Sequence, residues 1–198
     1  MNSKLQDFRP DGGKIRFTNT PDGFKIRYGV WNTGAIGTIF FLNGRTEYIE
    51  KYSDTISKFL KRQFSVVSLD WRSQGLSQRY FGRRDIGHIN DYKEYQTDLK
   101  TLMSLEEIKK LPKPFVLVSH SMGGLIGLRA ISNKNHCFSA AIFSAPAWGA
   151  KMFENAVLNL IKGLAPVIKT PGISKIKLYP GGKQPYVLTT SAKENALT

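Results

Sequence analysis

The stretch Phe115-Val116-Leu117-Val118-Ser119-His120-Ser121-Met122-Gly123-Gly124 decides how this chain folds. Its apolar beginning predicts a buried strand, and the residues from Gly124 to Ala130 have the character of a helix. A strand that passes into a helix over a few small residues needs a tight turn, and Ser121 lies at the tip of that turn. The pattern therefore predicts a strand, a sharp turn and a helix, with the Ser121 hydroxyl exposed above the strand.

Segments on either side of this turn predict the rest of a sheet. Two alternating segments, 14–18 and 24–28, flank the turn signal Pro21-Asp22-Gly23 and predict an antiparallel hairpin. The other predicted elements are three buried strands and two helices, at 37–42, 64–69, 140–143, 48–60 and 91–111. Strands alternating with helices indicate an α/β fold, with a mostly parallel sheet and helices on both faces.

Length and composition are those of one globular domain. The 198 residues are 41% hydrophobic and 22% charged. No apolar leader precedes Phe17, and no run approaches the roughly 18 apolar residues of a membrane span, so we expect no signal peptide and no transmembrane segment. Cys137 is the single cysteine, which fits the reducing cytoplasm, and we expect it to be a small buried side chain.

The net charge is +14, and the basic residues are spread along the chain as single charges and pairs. There is no zinc-ligand spacing and no nucleic-acid-binding signature, so we expect no metal, no cofactor and no nucleic acid partner. Two explanations of the charge stay open, a solvated basic surface and attraction to anionic lipid.

Ser121 is the candidate catalytic nucleophile, because a strand-to-helix turn exposes a serine hydroxyl. The backbone N–H of the next residue, Met122, is one candidate donor to an oxyanion. The loop Asn43-Gly44-Arg45 supplies the second candidate, with Arg45 as the donor, although an ordinary strand-ending turn is the alternative. Since active sites in such sheets lie at the carboxyl ends of strands, we expect both segments at one edge.

A serine nucleophile needs a histidine base and a carboxylate that orients it. Beyond the turn the chain has no Asp, two Glu and only His136, which should lie at the far end of the following helix. We expect His120 to pack behind the turn and His88 to form hydrogen bonds within a loop. Asp70 ends a strand and is expected to be structural, with Arg72 as its candidate partner. No acid or base is predicted in this chain.

Several motifs in order resemble the monoacylglycerol lipase and lysophospholipase group of α/β-hydrolases. The matching stretches are Leu42-Asn43-Gly44-Arg45-Thr46-Glu47-Tyr48 with Lys51-Tyr52, Leu69-Asp70-Trp71-Arg72-Ser73-Gln74-Gly75-Leu76-Ser77, Gly87-His88-Ile89 with Tyr95 and Asp98-Leu99, Ser119 to Gly124, and Ser144-Ala145-Pro146. The resemblance implies the α/β-hydrolase fold, hydrolysis of lysophospholipids or monoacylglycerols by a serine, and a helical cap after the sixth strand.

The resemblance divides the chain into the amino-terminal part of the core, 1–146, and a partial cap, 147–198. An apolar stripe between Phe153 and Ile168 would face an acyl chain or pack on the core. Departures from the family pattern are Asn43 in place of His, and Ser73 and Ser119 in place of Gly; we expect Ser73 to strain its turn.

The family takes its catalytic Asp and His from two strands after the cap, and no residue here matches them. We therefore expect an incomplete fold with its last strands missing and little esterase activity from this chain alone. Two alternatives remain open. One is half of a split hydrolase completed by a second chain. The other is a non-catalytic, basic lipid-surface binder, cytoplasmic and peripheral to the inner membrane, because nine Lys or Arg and two Glu follow Ser121.

Overall fold

The computed structural model describes residues 10–148. In this range the elements, in chain order, are β1 (Lys14–Asn19), β2 (Lys25–Trp31), β3 (Thr38–Leu42), a 3-10 turn (Ile49–Tyr52), α1 (Ser53–Lys61), β4 (Ser65–Asp70), α2 (Lys93–Ser104), α3 (Glu106–Lys109), β5 (Phe115–His120), α4 (Met122–Ile131) and β6 (Phe138–Ser144). The expected cap, apart from its first two residues, and the apolar stripe from Phe153 to Ile168 lie outside the described residues.

The strands form one six-stranded sheet in the order β1-β2-β4-β3-β5-β6. β1 and β2 pair antiparallel, as do β2 and β4, whereas β4, β3, β5 and β6 run parallel to one another. Leu42 pairs with Ser119 and His120 with Ser144, so the carboxyl ends of β3, β5 and β6 lie at one edge. The predicted α/β fold with a mostly parallel sheet is confirmed.

The predicted hairpin is present, with a longer second strand, but the helix expected over 91–111 is two helices. Leu105 adopts φ −65° and ψ 133°, an extended conformation that ends α2 at Ser104. Leu105 packs partly buried against the core, and Glu106 and Glu107 then occupy the first turn of α3, where negative charge is favourable. Helical spacing alone does not show such a one-residue break, because both helices keep their apolar residues on the core side.

Alternating side chains of the central strands fill a core on each face of the sheet. On one face Phe40 and Leu42 of β3 pack in a cluster with residues of α2, α3 and α4, among them Leu102, Ile108 and Ile126. On the other face Ile39 and Phe41 pack with residues of the 3-10 turn and α1, such as Ile49 and Ile56. Helices therefore cover both faces, as the period-two alternation of a strand requires.

β6 forms one edge of the sheet as far as residues 10–148 show. It pairs with β5 on one side, and Ile142 near its end is 56% exposed. Cys137 was expected to be buried, and this prediction is wrong: its side chain is exposed, because it lies in the irregular segment directly before this edge strand. No helix of the described part of the chain is long and apolar enough to cross a membrane.

Candidate active site

Ser121 occupies the sharp turn between β5 and α4 in a strained backbone conformation. Its φ is 50° and its ψ is −117°, values that cost a non-glycine residue about 1–3 kcal/mol. The Ser121 N–H donates to the Ser144 carbonyl at 3.1 Å, and the Ser121 carbonyl accepts the N–H groups of Gly124 and Ala147, each at 3.0 Å. The end of β6 and the start of α4 thus hold the turn in place on both sides.

Two glycines let α4 begin directly against neighbouring backbone. A Cβ on Gly123 would lie 2.2 Å from the carbonyl oxygen of Leu42 and 2.5 Å from that of Asn43, both at the end of β3. A Cβ on Gly124 would lie 2.7 Å from Cβ of Pro146. Any larger residue would push the helix away from the sheet, and with it the turn that carries the serine.

The loop after β3 lies beside the serine. A Cβ on Gly44 would lie 3.1 Å from Cβ of Ser121, so the two backbones approach closely there. The Gly44 N–H is already taken, because it donates to the Glu47 carboxylate. No acceptor within residues 10–148 takes the N–H of the exposed Arg45. Met122 is the first residue of α4, where an N–H has no partner inside the helix.

Glu47 is the main residue of this site that sequence reasoning missed. It is 7% exposed, and besides the Gly44 N–H it accepts the Tyr52 hydroxyl at 2.6 Å and Lys51 Nζ at 3.2 Å. Burial, together with the hydrogen bond to Glu47, raises the pKa of the Tyr52 hydroxyl above its ordinary value, so Tyr52 is a neutral donor. A carboxylate three residues after Gly44, between the apolar run that ends at Leu42 and the helical apolar pattern that begins at Tyr48, was the signal available in the sequence.

Asp70 is held by structural partners, but Arg72 is not one of them. The predicted pair is replaced by Arg27, whose Nη1 donates to the Asp70 carboxylate at 2.8 Å. The backbone N–H groups of Ile49 and Leu76 donate to the same carboxylate, each at 2.9 Å. Burial raises the pKa of Asp70, and the guanidinium opposes that rise. Asp70 therefore ties the loops after β3 and β4 to β2.

Arg72 instead extends toward α2. Its Nε and Nη2 donate to Asp98 at 2.9 and 2.7 Å, and its Nη1 donates to Asp22 at 2.6 Å. The next residue, Ser73, has φ 59°, so the strain expected at this position is present, and its buried hydroxyl has no hydrogen-bond partner in the described range. This turn is built around a fully buried arginine.

Gln74 connects the loop after β4 to the predicted oxyanion region. Its Oε1 accepts the N–H of Thr46, and its Nε2 donates to the Tyr95 hydroxyl at 3.1 Å and lies 3.9 Å from the sulfur of Met122. One side chain thereby contacts both the loop after β3 and the first residue of α4, the two segments that are expected to supply oxyanion donors. Sequence reasoning missed this residue, because a glutamine in a loop carries no pattern of its own.

None of the three histidines forms a hydrogen bond with the Ser121 hydroxyl in the described range. His88 Nε2 lies 3.0 Å from Asn90 Oδ1 within its loop, and His120 Nε2 lies 3.9 Å from Glu47. His136 precedes the amino end of β6, its ring 6.5 Å from that of Phe138, whereas the serine lies at the carboxyl end of β5. The described structure places no imidazole in hydrogen-bond contact with Ser121.

Comparisons with known proteins agree with this architecture. The family model described as serine aminopeptidase, S33, matches residues 34–196. A probable lysophospholipase L2 of Haemophilus influenzae is 30% identical over 56% of this chain and 35% of its own length. A monoacylglycerol lipase of Mycolicibacterium smegmatis is 28% identical over 80% of this chain and 52% of its own length. The chain thus spans between a third and about half of these relatives.

Solved structures show the same fold. A soluble variant of monoglyceride lipase from Saccharomyces cerevisiae, in complex with a substrate analogue, superposes with a TM-score of 0.62 at 19% identity. The alignment covers 81% of this chain and 53% of the yeast chain. At that identity the likeness concerns the fold.

Proposed function

Because the chain belongs to the serine hydrolase family described as serine aminopeptidase, S33, we propose that it carries the nucleophile Ser121 of an ester hydrolase acting on lysophospholipids or monoacylglycerols. The observation that carries the proposal is the conformation of Ser121, strained and clamped at the tip of the turn between β5 and α4. The substrate class is supported by relatives described as a lysophospholipase and a monoacylglycerol lipase.

In this reaction the Ser121 hydroxyl oxygen attacks the ester carbonyl while a base accepts the hydroxyl proton. The negative charge on the former carbonyl oxygen is stabilised by the N–H groups of Met122 and Arg45. The tetrahedral intermediate then expels the alcohol, which takes the proton back, and leaves an acyl ester on Ser121. Water, deprotonated by the same base, attacks that ester, and the carboxylic acid is released as the base returns the proton to the Ser121 oxygen. Each oxyanion donor contributes roughly 10²- to 10³-fold to such a rate.

The base and its carboxylate partner are the missing parts. No Asp follows Ser121 in these 198 residues. His136, the sole histidine after the turn, lies just before the amino end of β6, whereas Ser121 lies at the carboxyl end of β5. We propose that both groups come from outside this stretch, in a continuation of the same polypeptide or in a second chain. Alone, the stretch should be slower than a complete enzyme by about 10⁴- to 10⁶-fold.

A fluorophosphonate probe, which reacts with activated serines, tests the proposal directly. The full 198-residue chain is treated with the probe after purification and again in lysate of the source cells, beside Ser121→Ala. Ser132→Ala is the matched control, because Ser132 is an exposed serine at the other end of α4. Labelling that requires Ser121, in lysate or in a completed complex, supports the proposal. A reactive nucleophile is contradicted if the folded chain is labelled under neither condition and a polypeptide that includes the continuation is not labelled either.

A second candidate function is non-catalytic binding to an anionic membrane from the cytoplasm. It is favoured by the net charge of +14. Binding to vesicles that contain phosphatidylglycerol should then weaken steeply with salt and be unchanged in Ser121→Ala. Binding that ignores salt would contradict it.

A further inference from the structure

A cavity of about 590 Å³ lies between α2 and α4, beside the amino end of β6. Arg129 and Ala130, in the later turns of α4, line it. Arg129 is eight residues from Ser121, which is roughly 12 Å along the helix axis. Its volume is in the range of roughly 300–1,000 Å³ that small-molecule sites occupy. Nothing in the proposed ester hydrolysis uses this cavity.

The rim of the cavity is basic. Lys93 and Lys100 of α2 and Arg129 of α4 line it, and all three are exposed. None of the lining residues is Asp or Glu. Among residues 10–148 no ion pair joins any of these three cations to a carboxylate. No carboxylate within residues 10–148 pairs with these positive charges, so they act on the cavity.

The acidic residues of α2 are occupied elsewhere. Asp98 accepts Arg72 Nη2 at 2.7 Å, and Glu94 lies 3.5 Å from Nη1 of the same arginine. Both carboxylates of α2 thus lie next to Arg72, and the only charged residues of α2 that line the cavity are Lys93 and Lys100. The separation of charge is built into the helix, so the basic rim is more than a consequence of the protein's net charge.

The wall beneath the rim is partly apolar. Met103 lines it, with the buried side chains of Leu99 (2% exposed) and Phe138 (6% exposed) beneath, next to uncharged polar residues such as Gln96 and Asn133. A cationic rim above a partly apolar wall matches a molecule with a negative head and a short hydrocarbon segment. Each methylene that leaves water contributes about 0.8 kcal/mol, so a short length of chain on this wall adds affinity to the attraction of the head.

We propose that this cavity binds the negative head of an amphiphilic anion, whose carboxylate or phosphate lies against Lys100 and Arg129. When the anion is a free acid, its chain lies on the apolar part of the wall at Met103. Such an anion has two sources, a free long-chain acid and the headgroup of an anionic lipid in a membrane. The site does not depend on a reactive Ser121.

The test is calorimetric titration of the full chain with dodecanoate below its micelle concentration, at low salt. The variant is Lys100→Ala/Arg129→Ala. The matched control is Lys61→Ala/Arg62→Ala, which removes the same two residue types from exposed positions at the end of α1. All four side chains are exposed, so the variants should fold, and a thermal melt checks this. Ser121→Ala should bind like the parent chain.

We expect at least a tenfold weaker affinity for dodecanoate in Lys100→Ala/Arg129→Ala, parent-like affinity in the control, and much weaker binding of the uncharged dodecyl maltoside. A parallel titration with phosphatidylglycerol vesicles identifies the source. If the variant loses vesicle binding and dodecanoate does not bind, the ligand is a membrane headgroup. If the variant binds both ligands as the control does, the cavity is not the site and the proposal fails.

Discussion

The carboxylate of Glu47 accepts the backbone N–H of Gly44, at the point where the loop after β3 comes nearest to Ser121. The Gly44 N–H is therefore not available to an oxyanion. The N–H of the next residue, Arg45, has no acceptor in the described range. Glu47 is itself held by the Tyr52 hydroxyl at 2.6 Å. We infer that Glu47 is a positioning residue for the proposed oxyanion loop.

Replacing Glu47 should therefore slow the reaction of Ser121 more than it weakens substrate binding. In a preparation whose Ser121 reacts with fluorophosphonate, Glu47→Ala should lower the limiting labelling rate by roughly 10²-fold, the contribution of one oxyanion donor. Glu47→Gln keeps an acceptor oxygen for the Gly44 N–H and should recover most of the rate. Tyr52→Phe is the control, because it removes one bond to Glu47 and leaves the bond to Gly44. A loss in Tyr52→Phe equal to that in Glu47→Ala would make the role purely structural.

Gly123→Ala should prevent the elbow from forming. The added methyl group would lie 2.2 Å from the Leu42 carbonyl oxygen, a backbone atom that cannot turn aside. We expect a loss of unfolding free energy of about 3 kcal/mol or more, as for overpacking at a site without room. The control is Gly82→Ala, at φ 66° with nothing within 4 Å, which should lose only about 1 kcal/mol for its backbone strain. Equal urea midpoints for the two variants would show that α4 can shift.

Ser73→Gly should stabilise the protein. It relieves a non-glycine residue at φ 59° and removes a buried hydroxyl that has no partner in the described part of the chain. Glycine also makes the unfolded chain more flexible, which opposes this gain. The net rise in the free energy of unfolding, measured with urea, should be about 1 kcal/mol. Ser132→Gly is the matched comparison. Ser132 has φ −66°, so its backbone has no strain to relieve, and the same change should lower the stability of the protein. A lower midpoint for Ser73→Gly would mean that the hydroxyl has a partner.

Asp98 and Asp22, two of the three carboxylates that lie next to Arg72, should differ in what they contribute to stability. Asp98 is fully buried, so Asp98→Asn leaves the buried guanidinium short of charge and should cost about 3–5 kcal/mol. Asp22 is 45% exposed, and Asp22→Asn should cost less than about 1 kcal/mol at pH 7. Urea unfolding of the two variants measures both losses, and similar losses would contradict the role of burial.

Asp22 also gives a pH dependence. The hydrogen bond from Arg72 lowers the pKa of the Asp22 carboxyl below its ordinary value. Its contribution to stability is therefore present above pH of about 4 and is lost as the pH falls through the lower folded-state pKa. The difference in unfolding free energy between the parent and Asp22→Asn should shrink below about pH 4. A difference that stays constant down to acid unfolding would exclude this linkage.

Periodicity and local turn chemistry were enough to predict the strands and the elbow, because both follow from neighbours a few residues apart. The partner of Asp70 does not follow from them. Arg27 and Asp70 lie opposite each other in the antiparallel pairing of β2 and β4, across 43 residues of sequence. The nearer Arg72 extends to the α2 side of the sheet instead. The break at Leu105 and the exposure of Cys137 were likewise missed, because they depend on where the chain meets the core and the sheet edge.

Ser121 also bears on the evolution of this chain. A residue at φ 50° and ψ −117° opposes folding, and glycine, which has no Cβ, would relieve that opposition. Selection for thermodynamic stability alone would therefore replace serine here, whereas selection for a reactive hydroxyl would retain it. In a lineage that no longer needed the hydroxyl, position 121 would be among the first places where substitution improves the fold.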